Sequence, residues 1–191
     1  RCWIGQNGLH CFGRWRRGAE GADPGKAFKI VEAHTERLAA AHAEAGKANI
    51  EKALAKLVDR EKIGADIAAT TLSRIEAVAN YAPMADADLI IEAATEREDI
   101  KRKIFENVGK ILGAKAVLAS NTSSIPITRM AQSSPDPQRF IGIHFFNPVP
   151  VMGLIEVITG LATSDETVAI VRRYCEALGK EVVFAEDEPG F

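Results

Sequence analysis

His144 stands in the apolar run Ile141-Gly142-Ile143-His144-Phe145, and Glu156 follows twelve residues later in Leu154-Ile155-Glu156-Val157-Ile158. Pro148-Val149-Pro150 between them makes a stiff reversal, and the spacing suits strand, turn and strand, with the carboxylate brought back alongside the imidazole. A carboxylate on one ring nitrogen fixes the tautomer, raises the basicity of the other nitrogen and stabilises the imidazolium that forms on proton abstraction. That is general-base chemistry. A histidine alone on an apolar strand is ordinarily a core residue satisfied by backbone, so the pairing carries the reading.

Two further polar clusters follow apolar runs. Ser120-Asn121-Thr122-Ser123-Ser124 comes after Lys115-Ala116-Val117-Leu118-Ala119. Any one of these side chains reads as a cap for backbone amides, whereas all of them in one strand-to-helix turn suit a ligand-binding turn. Glu92, Glu96 and Glu98 surround the end of Asp88-Leu89-Ile90-Ile91-Glu92-Ala93, with Lys101 one turn into the next segment. Taken alone, these read as a helix N-terminus that favours acids, with Glu96 and Lys101 solvated. Ser123, His144 and Glu156 also have the residue types of a hydrolase triad, but no G-x-S-x-G elbow is present and Ser123 lies among other hydroxyls.

The elements that must position these residues are legible in the periodicity. A long amphipathic helix is expected from Thr35, as cap, to Arg60, then a short helix over Ala65–Leu72 and a strand over Arg74–Val78. The helical pair thus protrudes between two strands. Beyond it, strands at Asp88–Ala93, Ala114–Ala119 and Phe140–Phe145 alternate with helices at Glu96–Leu112 and Ile127–Ala131. Leu154–Ile158, a helix over Ser164–Leu178 closed by Gly179, and a strand at Glu181–Ala185 complete the series. Apolar strands flanked by helices define an α/β fold, a Rossmann-like doubly wound and mostly parallel sheet, whose ligands sit beyond the carboxyl ends of the strands.

Composition narrows the classes. The chain has 191 residues, 47% hydrophobic and 26% charged, with a net charge of -2, which excludes collagen-like, disordered and disulfide-scaffold proteins. A nucleic-acid partner would call for a basic balance, and a membrane span for a long apolar run; neither is present. Cys2, Cys11 and Cys175 form no C-x-x-C pair or metal-ligand spacing, so no metal is expected and a reducing, cytoplasmic setting is. Residues 1–34 are expected to be an aberrant or disordered segment without strand or helix period, with a targeting peptide as the lesser alternative. Residues 35–191 are expected to form the ordered domain.

The segments ADLIIEAATE, ASNTSSIPIT, RFIGIHFFNPVPVMGLIEVI and EALGKEVVFAEDEPGF resemble the NAD-binding domain of the L-3-hydroxyacyl-CoA dehydrogenases, the bacterial 3-hydroxybutyryl-CoA enzymes above all. The resemblance is dense over 85–191 and looser over 35–78. It implies NAD-dependent oxidation of an (S)-3-hydroxyacyl-CoA to the 3-ketoacyl-CoA, and the reverse, in fatty-acid or butanoate metabolism. His144 is then similar to the catalytic base, Glu156 to its orienting partner, and Ser123 to the serine that bonds the substrate's 3-oxygen near the cofactor. By the same match Asn147 contacts cofactor and substrate, Glu96 and Lys101 touch the ribose and nicotinamide side, and Ala93 and Asn121 line the cofactor. Arg60, on the helical arm that holds CoA in this family, is a candidate phosphate contact.

Two departures from the pattern stand out. The family's opening strand and G-x-G-x-x-G turn are represented only by Ile4-Gly5-Gln6-Asn7-Gly8, and the acid of the second strand only by Glu32. The make-up of residues 1–34 suits a coding region read in a shifted frame. The family also continues past Pro-Gly-Phe into a helical domain that makes a homodimer, so this chain by itself is expected to turn over little or not at all. A remnant domain with impaired dinucleotide binding is the alternative.

Overall fold

The computed structural model describes residues 11–12, 28–30, 36–149 and 151–188. Among the described residues are eight strands and five α-helices, and those from residue 36 onward follow the expected alternation. They are β1 (Cys11–Phe12), β2 (Phe28–Ile30), α1 (Glu36–Asp59), α2 (Ala65–Ser73) and β3 (Ile75–Ala77). After these come β4 (Leu89–Glu92), α3 (Glu98–Gly109), β5 (Val117–Ser120), α4 (Ile127–Ala131) and β6 (Phe140–Phe145). The chain closes with β7 (Leu154–Ile158), α5 (Asp165–Ala177) and β8 (Glu181–Ala185).

The strands form two sheets, β1-β2-β3 and β4-β5-β6-β7-β8. β4, β5 and β6 run parallel, β7 returns antiparallel to β6, and β8 pairs in parallel with β7. Two described strands fall within residues 1–34, where no strand or helix period is legible in the sequence. β1 and β2 both lie there, and β2 pairs in parallel with β3, with Phe28 opposite Ile75. Strands of two and three residues are too short to show a period, and it is the paired neighbour that defines them. Gly5, Gly8, Glu32 and the cap position Thr35 lie outside the described residues.

Alternation along the five-stranded sheet divides its side chains between two cores. Leu89, Ile91, Val117, Ala119, Ile141, Ile143, Ile155 and Val157 pack against Ile170, Val171, Tyr174 and Cys175 of α5. On the other face Ile90, Leu118, Phe140 and Ile158 pack against Ile104, Phe105 and Val108 of α3 and Ile127, Met130 and Ala131 of α4. Period two then places Glu92, Ser120, His144 and Glu156 on the face covered by α3 and α4, with Glu92 and Ser120 last in their strands and Glu156 midway along β7. Gly142 makes that closeness possible: a Cβ there would meet the Ile127 side chain at 2.8 Å and Ile158 Cβ at 2.9 Å. Gly179, at φ 67°, closes α5 as its position predicts, with its amide donating to the Glu176 carbonyl and the Lys180 amide to that of Cys175.

Candidate active site

The hairpin β6–β7 is in register with His144 opposite Glu156. His144 Nδ1 lies 2.7 Å from Glu156 Oε2, and both side chains are largely buried. A carboxylate only accepts, so Nδ1 carries the hydrogen and Nε2 is left as the basic nitrogen. Nε2 lies 3.0 Å from Ser123 Oγ, which is exposed on the turn after β5. The three residues therefore form one hydrogen-bonded line ending at the surface. The ring of Phe146 leans on that of His144, with centroids 5.0 Å apart.

Glu96 holds the turn that carries Ser123. Its Oε1 accepts from Thr122 Oγ1 at 2.5 Å, Ser123 N at 2.8 Å, Ser124 N at 3.0 Å and Ser124 Oγ at 2.9 Å. Partial burial pushes this carboxyl up, but the bonds from Thr122 and the Ser123 amide, the Lys101 charge and the Ser124 hydroxyl outweigh it. The net result lies below the ordinary carboxylate value. Thr122 Oγ1 in turn accepts from the Ile125 amide at 3.1 Å.

Behind the turn is a buried polar cluster. Lys101 Nζ donates to Glu92 Oε2 at 2.7 Å, the Asn121 carbonyl at 3.1 Å and Ser120 Oγ at 3.3 Å, and its side chain is 0% exposed. Ser120 Oγ donates to Glu92 Oε2 at 3.0 Å, and the Ala94 amide to Glu92 Oε1 at 2.6 Å. Lys101 is thus not solvated, which corrects that expectation for it. Its three donors are taken by three protein acceptors, and it acts by holding Glu92 and the Asn121 carbonyl where β4 and β5 end. Asn121 is half-buried, with Oδ1 accepting from the Phe145 amide at 3.0 Å, so it ties the turn to β6.

Asn147 is exposed two residues past the end of β6, and Lys180 fastens the reversal that it opens by donating to the Val149 and Met152 carbonyls. Ala93 is half-buried at the carboxyl end of β4, beside Ala94. Arg60 is exposed at the end of α1, in a helical pair that packs on itself and on β3, and belongs to no described part of the His144 line. Thr122, Ser124, Ser120 and Lys180 were not singled out by sequence reasoning as individual contributors. For the first three the run of hydroxyls after an apolar strand was the available signal.

A family model described as the 3-hydroxyacyl-CoA dehydrogenase NAD-binding domain matches residues 25–188. The probable 3-hydroxybutyryl-CoA dehydrogenase of Deinococcus radiodurans is 48% identical over 146 residues, 76% of this chain and 52% of that protein. The 3-hydroxybutyryl-CoA dehydrogenase of Bradyrhizobium diazoefficiens is 45% identical over 148 residues, 78% of this chain and 50% of its own length. The crystal structure of (S)-3-hydroxybutyryl-CoA dehydrogenase from Ralstonia eutropha superposes with a TM-score of 0.77 at 43% identity, covering 79% of this chain and 53% of that one. The chain spans about half the length of the curated relatives it matches. Strand order, helical cover and the matched span agree: the chain belongs to the 3-hydroxyacyl-CoA dehydrogenase NAD-binding domain family.

Proposed function

We propose that this chain supplies the cofactor-binding and acid–base part of an NAD-dependent oxidoreductase that interconverts an (S)-3-hydroxyacyl-CoA, 3-hydroxybutyryl-CoA in the first instance, and its 3-keto form. The observation that carries the reading is the line from Ser123 Oγ through His144 to Glu156 at a carboxyl-end sheet edge. In the oxidative direction His144 Nε2 takes the proton of the substrate's 3-hydroxyl. The Ser123 hydroxyl, 3.0 Å from that nitrogen, bonds the same oxygen and fixes its position. Glu156 keeps Nδ1 protonated and balances the imidazolium as it forms. In the reverse direction the same imidazolium returns the proton to the 3-oxygen.

The residues fit the nicotinamide half of NAD by their donor set. Glu96 commits Oε1 to the turn, while Oε2 has no hydrogen-bond partner among the described residues and suits a ribose hydroxyl. Ala93 and Ala94 put small side chains at the end of β4, and Asn147 stands exposed past the end of β6. When bound, NAD supplies the hydride acceptor for C3. Arg60, on the helical pair, is the side chain proposed to meet a CoA phosphate.

The Ser-His-Glu line also has the outline of a hydrolase, and Glu96 argues against it. Acyl transfer to Ser123 needs amide donors for a developing oxyanion. The amides of Ser123 and Ser124 are already given to the Glu96 carboxylate, which would repel one.

NADH fluorescence titration together with turnover of acetoacetyl-CoA, followed by NADH absorbance, tests the proposal on wild type, His144→Gln and Glu156→Gln. NADH binds all three equally, and whatever turnover the wild-type chain shows falls by about 10²- to 10⁴-fold in His144→Gln, the usual contribution of a general base. Unchanged turnover in that variant, or labelling of Ser123 by a covalent serine probe, refutes it. Failure of NADH to bind wild type makes the impaired remnant the better reading.

A further inference from the structure

Helix α4 begins with an uncapped turn of its own sequence. Pro126 occupies the N-cap, where its side chain has no oxygen to offer the orphan amides of the first turn. The acceptor comes instead from sixty residues further along: the Asp187 carboxylate, just past β8, takes the Ile127 amide on one oxygen and the Thr128 amide on the other, the latter at 2.8 Å. Both oxygens are used. The neighbouring loop is pressed onto the same point, because the Leu161 amide donates to Thr128 Oγ1 at 2.9 Å and a Cβ on Gly160 would come within 3.1 Å of Thr128 N.

The segment 121–126 joins β5 to this helix start and carries Ser123 in its middle. Its front is held by Glu96 and its entry by Lys101 and Glu92, so its exit is held by Asp187. We propose that Asp187 is a positioning residue for Ser123: by fixing where α4 starts, it sets the 3.0 Å approach of the Ser123 hydroxyl to His144 Nε2. The role assigned here rests on the reading of Ser123 and His144 as the reacting pair.

The test compares imidazole ¹⁵N shifts of His144 in wild type, Ser123→Ala, Asp187→Asn and the double variant. Asp187→Asn keeps the shape but turns one acceptor into a donor facing an amide. It moves the Nε2 signal in the direction that Ser123→Ala moves it, and in the double variant it adds nothing beyond Ser123→Ala, the mark of two changes acting on one contact. An Nε2 signal left at the wild-type position by Asp187→Asn, or shifts that simply add, overturns the proposal. If Asp187→Asn does not fold, Asp187→Glu, which keeps the charge and lengthens the arm, is judged by the same criterion. In the turnover assay Asp187→Asn loses on the order of tenfold to a hundredfold in kcat with the KM for NADH unchanged, as misplacement of a reacting group does. The shifts do not depend on turnover, so an Nε2 signal that still follows Asp187 in a protein whose measurable turnover survives His144→Gln refutes the function and leaves the positioning intact.

Discussion

Replacing Lys101 by Met keeps the aliphatic stem and removes a charge that is 0% exposed. Three hydrogen bonds vanish, to Glu92, Ser120 and the Asn121 carbonyl. Glu92 then remains buried as a carboxylate with two neutral donors, the Ser120 hydroxyl and the Ala94 amide. Breaking a buried pair from one side destabilises by about 3–5 kcal/mol, a large share of the roughly 5–15 kcal/mol that holds a domain together. Adding Glu92→Gln to Lys101→Met removes the stranded charge. The amide oxygen still accepts from Ala94, and the amide nitrogen donates to Ser120 Oγ. The double variant is therefore expected to lie within about 1–2 kcal/mol of wild type, closer than either single variant, since only net hydrogen-bond energy is lost. Urea unfolding followed by circular dichroism, with the slope checked for constancy, measures the cycle. Raising the salt from 0.1 to 1 M leaves the cost of Lys101→Met unchanged, because ions do not enter a dry pair. Single-variant costs that add in the double variant, or a Lys101→Met cost below about 1 kcal/mol, would show that the pair is not a coupled buried unit.

The other expectations concern titration and access. The Glu96 carboxyl is held below its ordinary 4.5, so the folded state favours the charged form. Its contribution is complete above about pH 4.5 and is lost as the pH falls through the lowered folded value. The stability difference between wild type and Glu96→Gln therefore stays level from neutral pH to about pH 5 and shrinks below that; a difference that widens on acidification contradicts the hydrogen-bond account. Burial and the neighbouring Glu176 push the Cys175 thiol up to about 12. Iodoacetamide at pH 8 should leave Cys175 unmodified until urea unfolds the protein, and mass spectrometry of the native protein after alkylation checks this.

How far the sequence disclosed the site depended on how local each interaction was. The pairing of His144 with Glu156 follows from two strands and the turn between them, which a spacing of twelve residues and two prolines make visible. Element limits were equally plain where a period ran long enough; α5, at Asp165–Ala177, falls within the expected Ser164–Leu178. α3 starts at Glu98 rather than at Glu96, because the Glu96 carboxylate is drawn across to the Thr122–Ser124 turn and its residue serves the loop. Lys101 was misread because a lysine in a first helical turn is ordinarily solvated. Its burial depends on Glu92 and Ser120 arriving from two adjacent strands on the same face. Asp187 was hidden for a similar reason, since nothing near it in the chain indicates that Ile127 and Thr128 lack a cap. The strands before residue 35 escaped because β2 is defined by its pairing with β3, and β1 by its pairing with β2.

In the hairpin, Glu156 alternates with Ile155 and Val157, which are buried against α5 on the opposite face. A shift of one residue would drive the carboxylate into that apolar layer and bring a branched hydrocarbon beside the imidazole. The alignment is therefore inscribed in the strands as well as in the connection. Residues 151–153, exposed at the tip, can exchange side chains over evolutionary time while the proton-transfer pair re-forms unchanged. Drift at this tip can retune what is admitted beside His144 without putting the chemistry at risk.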